Sequence, residues 1–292
     1  MTAVIDYLDD DNQPVALLRP SEDDLEYLDA TTICREIKES DFPNWEDRLR
    51  DHAASPLPHM RTQRQRRNDC QGQALAGGTE ARRHYTTGRM GQLSDIYGYN
   101  ATEYITGPKN VGRDRGSNIL IGVRVITEGI PNQNIKPGLP TEQEWPYDTY
   151  ERDSSEFITR AKNAAITDGC VAEQLPMPAW KEMLIAVAAR GTGHIGTYWP
   201  PRWRQLNGKK CMDRAPRGGG GHATEIIWAE EISGNWYLVV WNSHGDGFFY
   251  MSRQCYEDLQ QRQFRPFGGR LLMPINAAEQ FVNWATESPY FE

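Results

Sequence analysis

Hydrophobic residues recur with a helical period along the first two thirds of the chain and with a strand period along the rest. Helices are predicted over residues 70–84, 92–104, 118–128, 154–165 and 179–190. A strand is the alternative for 118–128, which is a short and uniformly apolar stretch. Strands are predicted over residues 194–199, 222–230, 235–242, 247–251 and 269–273. Helices followed by antiparallel strands predict an α+β fold with a cleft where the two halves meet.

This pattern divides the chain into an N-terminal extension and two lobes. Residues 1–60 are acidic, weakly patterned and interrupted by prolines, which predicts an extended strap with little core of its own. Residues 61–175 predict a mainly helical lobe, and residues 176–292 predict a mainly β lobe. Two adjacent glycines, Gly77 and Gly78, fall inside the first predicted helix and indicate that another element packs closely there.

Composition and charge exclude several classes of function. The 292 residues include 40 acidic and 32 basic side chains, and this net charge of −8 argues against a nucleic-acid partner. An apolar run long enough to span a bilayer is missing, and so is a signal-peptide pattern. We therefore expect a soluble protein without a membrane partner, placed in the cytoplasm or within a virion or other protein assembly.

The cysteine pattern favours free thiols. The five cysteines are odd in number and widely spaced, and none of them forms a CxxC pair. This spacing predicts a reduced compartment, with one or two disulfides left open. Because the chain also lacks an HExxH motif, we expect neither a metal nor another cofactor.

Cys70 is the candidate nucleophile. A polar run ends at Asn68 and Asp69, and a segment of small residues follows, which places Cys70 in the first turn of a helix. The N–H groups and the dipole of a helix N-terminus favour a thiolate. The basic run at 61–67 is either an electropositive collar beside this thiolate, a contact for an acidic partner, or an exposed loop.

His222 and Asn242 are the candidate base and its orienting acceptor. His222 opens a predicted strand after the four glycines of residues 218–221, which let another backbone or a substrate approach closely. The alternative is a flexible loop before an ordinary strand histidine. Asn242 ends the next strand, so antiparallel pairing brings it near His222, although an asparagine there is also a common turn former. With Cys70, these residues make a nucleophile–base–orienter set.

Four blocks of this sequence, spread over about residues 58 to 255, resemble the papain-like cysteine peptidase family. The blocks are Cys70-Gln71-Gly72-Gln73-Ala74-Leu75-Ala76, Asp114-Arg115-Gly116-Ser117-Asn118 leading to Trp145-Pro146-Tyr147, Gly220-Gly221-His222-Ala223, and Asn242-Ser243-His244-Gly245 with Gly247-Phe248-Phe249. The resemblance implies a papain-like two-lobe fold, in which a helical left lobe and an antiparallel, β-barrel-like right lobe enclose the active-site cleft.

The resemblance also implies a role for each site residue. Cys70 would be the thiolate nucleophile, His222 its imidazolium partner and leaving-group acid, and Asn242 the residue that orients the ring. A polypeptide substrate would then be hydrolysed through a thioester acyl-enzyme. The oxyanion hole would use the Cys70 backbone N–H and an upstream glutamine, with Gln63 preferred and Gln65 the alternative.

The chain departs from the family pattern at several positions. Arg64 occupies the place of the family glutamine, and His244 stands where the family has a tryptophan. The paired cysteines of the left lobe are also missing. These departures predict a bacterial or phage-type member with altered or lost activity.

Three functions follow from these patterns as hypotheses. The first is a thiol-dependent peptidase. The second is a catalytically weak or inactive papain-like protein that docks through residues 1–60 into a larger assembly such as a phage particle. The third is an amide hydrolase or acyl transferase that acts on cell-wall peptides.

Overall fold

The structure is a computed structural model with an α+β fold, as the sequence predicts. It describes residues 7–8, 14–15, 17–22, 36–62, 65–87, 91–200, 202–245, 247–275, 277–278 and 281. The helices are α1 Trp45–Arg50, α2 Cys70–Thr87, α3 Asp95–Thr106, α4 Ile119–Thr127, α5 Ser154–Ala161, α6 Trp180–Ala188 and α7 Arg253–Gln261. Within these ranges, none of the helices is both long and apolar enough to cross a bilayer.

The strands form one large sheet and two small pairs. Their bounds are β1 Tyr7–Leu8, β2 Pro14–Val15, β3 Leu17–Leu18, β4 Ser117–Asn118, β5 Ala172–Leu175, β6 Thr192–Tyr198, β7 Arg204–Leu206, β8 Lys209–Met212, β9 Gly221–Ile232, β10 Asn235–Trp241, β11 Phe248–Ser252 and β12 Gly269–Pro274. The eight-stranded sheet has the order β5-β12-β6-β9-β10-β11-β8-β7 and is antiparallel except between β8 and β11. Strand β3 pairs with β4 in parallel, and β1 pairs with β2.

Helix α2 lies between the two lobes and packs against α3 on one side and β9 on the other. The glycine pair inside α2 makes the second contact possible. A Cβ at Gly77 would lie 2.8 Å from the Trp241 ring, and a Cβ at Gly78 would collide with the Glu225 side chain. The expectation of close packing at these glycines is confirmed, and the close approach of α2 to β9 brings Cys70 to the sheet.

Residues 36–60 differ from the prediction of a strap with little core of its own. Phe42, Trp45 and Leu49 are buried in the same hydrophobic cluster as the central strands of the large sheet. Helix α1 carries Glu46 and Asp47 in its first turn, where their charges complement the helix dipole. The apolar residues of this segment are few, but helix α1 turns them to one side.

Several elements lie outside the sequence prediction. Strands β5, β7 and β8 are three or four residues long, so their periodicity is too brief to recognise. Helix α7 is polar on most sides, but it begins after the capping side chain of Ser252 and buries Cys255, Tyr256 and Leu259. The apolar stretch for which a strand was the alternative is helix α4, whose N-terminus is capped by Asn118.

Candidate active site

Cys70 is the first residue of α2 and has no exposed surface. Its Sγ accepts a hydrogen bond from the backbone N–H of Ala223 on β9, so the thiol lies beside the residue that follows His222. Burial raises the pKa of the Cys70 thiol to about 12, against the opposing effect of the Ala223 N–H. Burial therefore disfavours the predicted thiolate, because loss of solvation opposes the effect of the helix N-terminus.

His222 and Asn242 are hydrogen-bonded to each other. The distance between His222 Nε2 and Asn242 Oδ1 is 2.9 Å. Strands β9 and β10 pair with Trp241 opposite Glu225, which carries Asn242 toward the start of β9. The Asn242 backbone N–H donates to the Gly247 carbonyl at 2.8 Å and closes the loop after β10. Because an amide oxygen only accepts, Nε2 carries the proton and Nδ1 is the nitrogen suited to proton exchange.

Gln65 is the glutamine that the structure brings to this loop. Its backbone N–H donates to the Ser243 carbonyl at 2.9 Å, and the Ser243 hydroxyl donates to Gln65 Oε1 at 2.5 Å. The Gln65 amide nitrogen donates to the carbonyl of Arg67 at 3.3 Å. The preferred candidate, Gln63, and the neighbouring Arg64 lie outside the described residues. The structure therefore describes the alternative candidate, Gln65, in contact with the loop that follows Asn242.

Arg61 does not form an electropositive collar. Its guanidinium lies 3.1 Å from Glu80, 3.9 Å from Asp95 and 2.8 Å from Glu142. These carboxylates compensate its charge inside the helical lobe, so the collar interpretation is wrong for this residue. The later arginines of the run stack on rings: Arg66 on Tyr147, and Arg67 on Tyr147 and Tyr150.

Asp69 is a buried carboxyl group directly beside the nucleophile. It was not among the residues predicted for the site. Burial, and next the charge of Asp95, raise the pKa of Asp69 to about 7, although a hydrogen bond from Gln73 opposes the shift. The negative charge of Asp69 also raises the pKa of the Cys70 thiol, after the effect of burial. Its position next to Cys70 was the signal available in the sequence.

Three rings meet around the candidate base. The centroids of His222 and His244 are 4.1 Å apart. The ring of Trp199, just after β6, lies 4.7 Å from His222 at an interplanar angle of 81°, and 4.4 Å from His244. Trp199 was predicted only as the end of a strand. Its contact with His222 depends on the pairing of β6 with β9, which the sequence did not specify.

A segment of the N-terminal region lies against the site. Leu17 of β3 belongs to the small apolar cluster that contains Cys70 and Ala223. A Cβ at Gly196 would lie 2.7 Å from the Leu17 side chain, and a Cβ at Gly221 would lie 3.0 Å from it. The glycine before His222 therefore permits a close approach, as its sequence setting predicts. In this structure the approaching groups belong to the same chain: Phe267, 2.5 Å from a Cβ at either glycine, and then Leu17.

A buried polar network stands behind the site and links α2, β6 and β9. Arg82 of α2 lies 3.6 Å from Glu225, whose other oxygen is 2.6 Å from His194 Nδ1. Thr192 donates its hydroxyl to Glu225 at 2.6 Å. Since Glu225 is three residues from His222 on the same strand, this network fixes the distance between α2 and the strand that carries the base.

The remaining cysteines do not contribute to the site. The described cysteines are all buried free thiols: Cys70, Cys170, Cys211 and Cys255. Cys34 lies outside the described residues. Across the described part of the chain, no group of three or more His, Cys, Asp or Glu side chains is arranged to hold a metal ion.

Comparisons with known proteins identify the fold. No protein-family model matches the sequence, and no curated protein matches it. Among solved structures, the chain resembles the proform of Amb a 11, a cysteine protease and major ragweed pollen allergen. The two are 14% identical, and the match covers 84% of this chain and 67% of that one with a TM-score of 0.52.

Two further structures agree with this result. Digestive procathepsin L 3 of the Tenebrio molitor larval midgut is 14% identical, with coverage of 87% and 79% and a TM-score of 0.51. The bromelain protease of Ananas comosus, solved with the E64 inhibitor, is 17% identical, with coverage of 77% and 96% and a TM-score of 0.50. The chain therefore has the papain-like fold, and the resemblance inferred from the four sequence blocks is confirmed at the level of fold.

Proposed function

We propose that this papain-fold chain is a thiol-dependent peptidase whose reaction uses Cys70, His222 and Asn242. The observation that carries the proposal is the set of hydrogen bonds that these three residues make. Asn242 accepts a hydrogen bond from His222 Nε2. The backbone N–H of Ala223, the residue after His222 on β9, donates a hydrogen bond to the Cys70 sulfur. A nucleophile, a base and an acceptor that orients the base are the parts that acyl transfer through a thioester needs.

The reaction follows from the chemistry of these groups. His222 Nδ1 takes the thiol proton, and the Cys70 thiolate attacks the carbonyl carbon of the scissile peptide. The resulting oxyanion accepts hydrogen bonds from the Cys70 backbone N–H and the Gln65 amide. The imidazolium then gives its proton to the leaving amine, which leaves a thioester on Cys70. His222 next removes a proton from water, the hydroxide attacks the thioester, and the carboxylic acid product departs as the thiol re-forms.

The proposed peptidase is closed by its own N-terminal segment. Leu17 belongs to the buried apolar cluster that also contains Cys70, and β3 pairs with β4, whose Asn118 caps the helix α4 beside it. Arg19 adds a hydrogen bond to the hydroxyl of Tyr198 at 3.0 Å. Burial by this segment agrees with a neutral thiol. We therefore expect low activity until the segment is displaced.

A second candidate is a papain-fold protein without activity, as in the docking hypothesis. The specific observation in its favour is the complete burial of Cys70, with a thiol pKa raised to about 12 by that burial. The two candidates differ in what happens when Leu17 is moved. A latent peptidase then gains a reactive thiol and hydrolyses peptides, whereas an inactive scaffold does neither.

The test compares Leu17→Asp with Leu18→Asp in the full chain. Leu17 is buried beside Cys70, whereas its neighbour Leu18 is only partly buried, which makes Leu18 a matched control. A carboxylate is too costly to bury in the apolar cluster, so Leu17→Asp should expel the segment from the site. We expect iodoacetamide to label Cys70 about tenfold faster in this variant, with casein hydrolysis that Cys70→Ala abolishes.

Three outcomes separate the hypotheses. Labelling of Cys70 no faster than that of the other cysteines, in both variants, contradicts the peptidase proposal. Casein hydrolysis that survives in Cys70→Ala contradicts it as well. Cleavage of peptidoglycan fragments in place of casein would keep the three site residues and assign them to an amide hydrolase of cell-wall peptides.

A further inference from the structure

The His222 ring contacts the rings of Trp199 and His244, and these three residues come from separate places in the chain. Trp199 follows β6, His222 opens β9, and His244 lies in the loop after β10. The Trp199 ring meets His222 nearly at a right angle, at 81°, while His244 lies across His222 at 44°. His222 itself has no exposed surface. The imidazole is thus enclosed by an indole and a second imidazole.

The position of Trp199 is well supported by its neighbours. Its backbone N–H donates to the Gly220 carbonyl at 2.9 Å, which extends the pairing of β6 with β9 by one residue. On its outer side, the indole contacts the ring of Trp203 at 5.1 Å and that of Phe249 at 6.3 Å. Trp203 packs against Phe249 as well, at 5.1 Å. This arrangement holds the indole against His222 in one orientation.

A hydrogen bond between His222 and Asn242 is valuable only while water is kept away from it. Water offers Nε2–H and the Asn242 oxygen competing partners, and a low local dielectric strengthens the direct bond. An electron-rich indole next to an imidazole also favours the protonated ring. A second ring in contact with His222 is that of His244, at 4.1 Å.

We infer that Trp199 is a positioning residue that shields the His222–Asn242 hydrogen bond from water and fixes the orientation of the His222 ring, with the His244 ring in tilted contact with both. The role of this positioning in catalysis rests on the proposed peptidase function. The shielding itself is a property of the folded protein. It is measurable whether or not the chain cleaves peptides.

The test measures the exchange of the His222 Nε2 proton with water by NMR on protein labelled with 15N-histidine. His222→Gln assigns the signal by removing it. We expect exchange at least about tenfold faster in Trp199→Ala than in the wild-type chain, and within about threefold of wild type in Trp199→Phe. Trp236→Ala is the matched control, since it removes an indole from strand β10 that packs against Trp45 at 6.1 Å and leaves the neighbours of Trp199 unchanged. We expect wild-type exchange in this control.

A second measurement tests positioning in the reaction. In the Leu17→Asp background, Trp199→Ala should lower kcat about tenfold or more with little change in KM, because the substrate site is intact while the base is misoriented. It should also shift the pH profile of Cys70 alkylation, which Trp236→Ala should leave in place. A general packing defect would affect both tryptophan variants alike.

Two results would overturn the inference. The first is slow proton exchange in Trp199→Ala, and the second is equally fast exchange in Trp236→Ala. If Trp199→Ala does not fold, Trp199→Leu keeps the apolar volume without the indole and is read by the same signal. A chain without peptidase activity would refute the proposed function while the exchange measurement still decides the role of Trp199.

Discussion

Buried ionisable groups lie near both ends of helix α2, and the two ends differ in the partners that these groups have. Toward its C-terminus, Arg82 faces Glu225, which in turn binds His194 at 2.6 Å. At its N-terminus, the carboxyl group of Asp69 lies beside the Cys70 thiol, and burial, followed by the nearby charge of Asp95, raises its pKa. The first end pairs opposite charges directly across three elements. At the second end, Asp69 is hydrogen-bonded to the neutral amide of Gln73, and the nearest guanidinium to Asp95 is that of Arg61 at 3.9 Å.

The difference shows how one helix serves both stability and chemistry. A buried ion pair costs solvation, but it specifies how elements meet, and removing one partner is strongly destabilising. Groups whose pKa values are strongly shifted by burial and like charge are typical of functional sites. The paired end of α2 thus holds the helix against the sheet, while the other end places Asp69, whose pKa burial raises to about 7, beside the Cys70 thiol.

The largest expected effect separates chemistry from stability at the N-terminal end. Replacing the thiol by a hydroxyl in Cys70→Ser, within the Leu17→Asp background, should reduce peptide hydrolysis by about 10⁴-fold or more. The free energy of unfolding should change by less than about 1 kcal/mol, because the buried volume is nearly preserved. Hydrolysis rates and chemical denaturation of the same samples check both statements. A large loss of stability would remove the contrast between the two ends.

Breaking the paired end should have the opposite signature. Glu225→Gln leaves Arg82 buried without its counter-charge and should lower the free energy of unfolding by about 3 to 5 kcal/mol. Urea denaturation measures this. The double variant Arg82→Met, Glu225→Gln should lose less than the two single variants together, because no uncompensated charge remains. Strict additivity in this cycle would show that the pair is not coupled.

The smallest effect concerns Asp69 and depends on pH. Its pKa is 3.8 in an unconstrained chain and about 7 here, raised chiefly by burial. Between these values the folded protein keeps a proton that the unfolded chain has released. Stability from this group therefore falls as the pH rises from 3.8 to about 7 and stays low above that range.

Asp69→Asn removes this dependence. We expect the free energy of unfolding of the variant to exceed that of wild type by about 1 to 2 kcal/mol at pH 8 and to equal it below pH 4. Denaturation at several pH values checks the sign. Asp148→Asn, at a carboxyl group with 82% of its side chain exposed, is the control and should change nothing. A gain at low pH instead of high pH would contradict the shift.

Much of the site was predictable because its signals are local. A cysteine after a polar run, a histidine after four glycines and an asparagine at a strand end are each visible within a few residues. The glycine pair in α2 also predicted a close contact before its partners, Trp241 and Glu225, were known. The choice between Gln63 and Gln65 was not local, since it depends on which side chain reaches Ser243 across the cleft.

Local chemistry alone was enough to establish the α+β class, the start of helix α2 at Cys70 and the three candidate residues, because periodicity and capping act over a few neighbouring positions. The tertiary structure decided the rest. It placed Leu17 beside the thiol, turned Trp199 onto His222 and raised the pKa of the Cys70 thiol to about 12 by burial. Burial, desolvation and contacts between distant strands are set by packing, and packing joins residues far apart in the chain.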